Sequence, residues 1–145
     1  MGEATYYLKA CFKSGMEAKK NLEPIRAFLK EGCRAETFWR ENRDKKPETF
    51  WPEFEKQFPR VTEFAKYAGV FGEDSNNGLA GVLNFGDEDF VENALRKESG
   101  PIILYSAYVW HFADWEPMAN FIVSKWGAKE VRWISDELLN PFDLL

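Results

Sequence analysis

The chain has little of what usually announces a reaction. It holds one histidine, two cysteines and three methionines. There is no C-x-x-C pair and no Cys/His spacing suited to zinc, so neither a disulfide scaffold nor a structural zinc site is expected. Glycine-rich phosphate loops, dinucleotide fingerprints and nucleophile elbows are missing too. The nearest match, Gly78-Leu79-Ala80-Gly81, precedes or enters an expected strand, the wrong context for a phosphate cradle. No run approaches the ~18–20 apolar residues of a membrane span. Met1-Gly2-Glu3-Ala4-Thr5 lacks the basic and apolar regions of a signal peptide, so a cytoplasmic chain is expected. Asp87-Glu88-Asp89 lacks the alternating acids, central glycine and closing glutamate of a calcium loop, and reads as charge at a helix N-terminus. No metal and no cofactor is expected.

What is present is aromatic and acidic. Thirteen Phe, six Trp and five Tyr sit in 145 residues, enough chain for a single domain over 1–145. Nine of the rings fall within 38–71 and eight between Tyr105 and Trp133. The net charge of −5 is uneven, with +3 over 1–72 and −8 over 73–145. Such a field steers a partner, orients subunits head to tail, or draws the two halves of one fold together. Overall acidity argues against nucleic acid, whose binders carry a basic footprint.

Periodicity supplies the elements. Residues 5–13 alternate as a half-buried strand. Ser14 with Glu17 forms a capping box for a helix that Pro24 interrupts and Gly32 ends. Cys11 at the strand end and Cys33 beyond that helix are then too far apart to pair, so both are expected as free thiols. Residues 35–69 read as a helical insertion in which Glu36-Thr37-Phe38-Trp39 recurs as Glu48-Thr49-Phe50-Trp51. Each Thr is expected to cap a short helix, with Pro47 between the copies, Pro52 in a first turn and Pro59 splitting the helix. A loop at 72–78, a strand at 79–85 and a short helix ending at Arg96 follow. Residues 102–112 are the strongest strand, apolar on both faces and so central. Asp114 caps a helix ended by Gly127, and 129–134 is the last strand. This order predicts an α+β domain with a four-stranded sheet and helices on one face, the split βαβ or ferredoxin-like arrangement, plus the insertion at about 35–69. The alternative is a layered α/β fold with a parallel sheet.

His111 is the sharpest candidate for chemistry. It lies at the carboxyl end of strand 102–112, Tyr105 shares its face by period two, and Asp114 opens the next helix. His111 with a carboxylate would serve as a general base, with Tyr105 and Asp114 beside it. Tyr108, Trp110, His111, Trp115 and Glu116 are the expected ligand-binding set. Tyr108 and Trp110 point away from His111 and, with Tyr7, Lys9, Lys13 and Arg132, would line the second sheet face. Single-stranded RNA is bound on such faces elsewhere, but the basic-Gly-aromatic strand motif is missing here. The favoured function is a non-enzymatic protein-binding or regulatory module, in one version a small acidic inhibitor or immunity-type protein. The alternatives are a small ligand binder or acid–base enzyme with a pocket around His111, and an oligomerising structural domain.

Overall fold

The computed structural model describes residues 5–72, 79, 82–83, 95–96, 102–108 and 116–135, the backbone alone at 5–8, 95–96, 102–108 and 132–135. Strand β1 (Thr5–Cys11) leads into helix α1 (Gly15–Asn42). Ser14 is the N-cap, in extended backbone, and its hydroxyl accepts from the Glu17 amide at 3.2 Å. That half of the expected capping box is present.

Helix α1 does not stop at Gly32. It runs through Pro24 and Gly32 for 28 residues, about 42 Å at 1.5 Å per residue. The reason is burial. Ala18, Ile25, Phe28, Leu29, Gly32, Cys33 and Ala35 form one continuous buried stripe. Packing along that stripe outweighs the ~1 kcal/mol propensity cost of a mid-helix glycine. Residue 35 is therefore no boundary: the first part of the supposed insertion is the second half of α1. Thr37 is a mid-helix residue whose hydroxyl donates to the Cys33 carbonyl at 3.3 Å, not a cap.

Helix α2 (Pro47–Gln57) begins on Pro47 itself with Lys46 as its N-cap, so Thr49 lies inside the first turn and is not the expected cap. Pro52 lies in its interior rather than its first turn. Pro59 opens α3 (Pro59–Tyr67), and Phe58 between them leaves the helical region, because a residue before proline is pushed toward extended backbone. The two copies of the repeat meet. Phe38 and Phe50, equivalent within it, have ring centroids 5.6 Å apart. The chain then reverses after α3, where the Val70 amide donates to Ala65 O and Gly69 takes φ +77°.

Of the strand expected at 79–85 only residues 79, 82 and 83 are described, and there the Val82 and Leu83 amides both donate to Leu79 O, the bonding of a turn. Leu95–Arg96, expected at the end of a helix, forms a two-residue strand β2. Strand β3 (Ile102–Tyr108), helix α4 (Glu116–Trp126) and strand β4 (Glu130–Ser135) follow. Gly127 after α4 has φ +74°, the left-handed cap the sequence anticipates.

The strands order β2-β3-β1-β4 and every pairing is antiparallel. Tyr6 faces Ala107 on one side and Ser135 on the other, and Cys11 faces Ile102 and Glu130. The layered parallel alternative is thereby overturned. The sheet-centred, ferredoxin-like α+β class is corrected as well: the described chain is mainly helical with a small antiparallel sheet. Among the described residues, helices of 28, 11, 9 and 11 residues stand against strands of 7, 2, 7 and 6, and only β1 with β3 and β1 with β4 pair over more than two residues.

The core explains this weighting. Phe28, Phe50, Phe54 and Phe64 are fully buried, and all four lie on α1, α2 and α3. Phe28 joins these helices to α4 through Phe64 at 5.7 Å, Phe121 at 5.2 Å and Trp126 at 5.6 Å. Phe38 gathers Phe50, Phe54 and Phe58 within 6.2 Å. Such ring pairs add ~0.5–1.5 kcal/mol each beyond their area. Ala10, Phe12 and Val131 bring the sheet onto the same core.

Candidate functional site

The residues singled out in the sequence divide cleanly. Trp110, His111, Asp114 and Trp115 lie outside the described residues. Tyr105 and Tyr108 lie in β3, where backbone register sets them opposite Leu8 and Thr5. Glu116 stands exposed in the first turn of α4. Lys9, expected on an open sheet face, is buried at 9 % exposure, so it is no solvent-facing cation there. Lys13 is exposed beyond the end of β1. Cys11 and Cys33 are both outside any disulfide, Cys33 buried within α1 rather than beyond it.

A different site, made by α1 and α3, was not foreseen. Glu31 of α1 is buried, with its side chain 5 % exposed. Its Oε2 accepts from the Val61 amide at 2.8 Å and its Oε1 from Arg60 Nη1 at 3.1 Å. Helix α3 needs this. Its N-cap is Phe58, which carries no capping oxygen, and Pro59 occupies the first position. Val61 is the third residue of the helix, the amide that an N-cap side chain ordinarily satisfies. Glu31 supplies the cap from thirty residues away, and its negative charge sits at the positive end of α3.

Next to this staple lies a cleft of about 260 Å³, lined by Glu23, Arg26, Ala27, Lys30, Arg34 and Arg60. Arg26, Lys30 and Arg34 are spaced i, i+4, i+8 and so share one face of α1, about 12 Å from end to end. Arg60 comes from α3 and is oriented by Glu31. Arg26 is held by Glu23 at 3.0 Å, yet Glu23 is 72 % exposed, so that pair is weak. Lys30 and Arg34 hold further interactions of their own. The arrangement concentrates positive charge on one flank of an acidic chain. Its lining of three arginines and one lysine, with Glu23 the one carboxylate, is suited to holding an anion.

The sequence did contain half of the signal. The stripe 26, 30, 34 is legible as a basic helical face, but only if α1 is continued past Gly32. Arg60 and Glu31 join it only through the packing of α3.

No family model, curated protein or solved structure matches the chain. Among the described residues no group of acidic, His and Cys side chains could hold a metal, and no helix is long and apolar enough to cross a membrane.

Proposed function

We propose that the chain is a non-enzymatic protein-binding module, regulatory in role, that docks an anionic segment of its partner in the cleft between α1 and α3. The observation that carries this is the cleft lining itself, four basic side chains against the single exposed carboxylate of Glu23. The uneven charge, +3 over 1–72 and −8 over 73–145, supports it by giving the basic helices an acidic counterweight elsewhere in the chain. A second reading, a small acidic inhibitor or immunity-type protein that masks a basic partner, is supported by the charge count of the second half. Two cysteines without a disulfide favour a reducing compartment such as the cytoplasm.

The test is fluorescence anisotropy of a labelled oligo-glutamate peptide, with light scattering of the free protein. The expected result is binding that weakens with salt and is lost on Arg26→Glu. A strictly monomeric protein that binds no oligo-glutamate at low salt would overturn the reading.

A further inference from the structure

Resting on the interaction reading above, we infer that the anion this cleft takes is a phosphomonoester rather than a carboxylate. The cleft presents its donors from two walls. Arg26, Lys30 and Arg34 run along α1, and Arg60 reaches in from α3. A carboxylate has two oxygens in one plane and is satisfied by a single guanidinium fork. A phosphomonoester has three oxygens pointing apart, so it can meet donors from both walls and still keep an acceptor for a third. It also carries about −1.5 to −2 charges at neutral pH, closer than a carboxylate to the charge of this lining.

The positions fit this demand in detail. Arg60 is fixed at one nitrogen by the buried Glu31 carboxylate, and its side chain is 56 % exposed, so the rest of its guanidinium faces solvent. Arg26 is 26 % exposed, and its Nε is buried with no hydrogen-bond partner among the described residues. Among the described residues the group is thus tethered by Glu23, an exposed surface carboxylate that a dianion can displace. Lys30 and Arg34 hold other interactions, so an entering phosphate exchanges partners with them rather than filling a vacancy. Ala27 lines the same cleft and adds only a methyl group to it. Arginine clusters of this kind read phosphorylated side chains, and the same chemistry would take a free phosphate compound. Oligo-glutamate binding is then the weaker, charge-only fraction of the same recognition.

The deciding experiment uses the whole chain and a labelled neutral peptide bearing one phosphoserine. Its serine and glutamate counterparts are run in parallel, with inorganic phosphate and pyrophosphate as competitors. Arg26→Gln and Arg34→Gln are the variants, because neither residue touches Glu31 or Val61 in the cap; unchanged urea midpoints show that they fold. The expected result is phosphopeptide binding at least about tenfold tighter than either counterpart, falling about tenfold in each variant. Equal binding of the phosphoserine and glutamate peptides would overturn the phosphate assignment and leave the interaction module standing. Competition by pyrophosphate, with no preference for the phosphopeptide over free phosphate, would uphold the phosphate chemistry and remove the protein partner. Binding indifferent to both variants, or no binding of any probe, would overturn the site itself.

Discussion

Replacing Glu31 by alanine is the most informative single change, because one carboxylate joins two helices. In Glu31→Ala the Val61 amide loses its acceptor while Val61 stays buried. A buried donor left unsatisfied costs about 1–3 kcal/mol, and measured losses of an N-cap, about 0.5–2 kcal/mol, describe the same bond and are not added to it. The ion pair to Arg60 contributes at most about 1 kcal/mol, since Arg60 is 56 % exposed. Loss of the buried stem adds about 1 kcal/mol for its methylene. Relief of the carboxylate's desolvation works in the other direction. The net expectation is a loss of about 2–4 kcal/mol, a fall in melting temperature of roughly 5–15 °C for a chain of this size. Glu31→Gln keeps the stem and an oxygen for Val61, so it should cost only about 1 kcal/mol. Urea unfolding followed by tryptophan fluorescence and far-ultraviolet dichroism gives both values. A loss below about 0.5 kcal/mol in the alanine variant, or equal losses in the two, would refute the claim that this carboxylate caps α3.

Three further outcomes follow from the same structure. Thr62 is 3 % exposed and its hydroxyl has no partner among the described residues, so the near-isosteric Thr62→Val should raise stability by about 1 kcal/mol in the same urea assay. Phe28 is fully buried against Phe64, Phe121 and Trp126, so Phe28→Ala should cost about 3–5 kcal/mol, seen as a collapse of the thermal transition. Thiol labelling of the folded protein should modify Cys11, which is partly exposed, while buried Cys33 reacts only at the rate of unfolding; two fast thiols in the native protein would contradict the long α1.

Local signals were legible wherever the cause was local. Ser14 and Glu17 mark the start of α1, Pro59 splits the helical segment, and Gly127 marks an end, because each acts through its own backbone. Alternation placed β1 and β4 to within one or two residues. Gly32 misled because its propensity is weak beside the burial of Phe28, Leu29 and Cys33 around it. Leu79, Val82 and Leu83 misled because a short apolar run suits a strand or a buried turn equally well.

The sequence alone determined an aromatic-rich chain with charge divided between its halves, and it set the start of α1, the break at Pro59 and the end of α4. The tertiary structure decided how much those helices outweigh the sheet, because the described rings of 38–71 pack on one another and, through Phe64 and Tyr67, on Phe28 and Phe121. It also decided the site. Glu31 and Val61 are thirty positions apart, and no periodicity links them. Only the packing of α3 on α1 brings a buried carboxylate to an uncapped helix end and completes the basic cleft beside it.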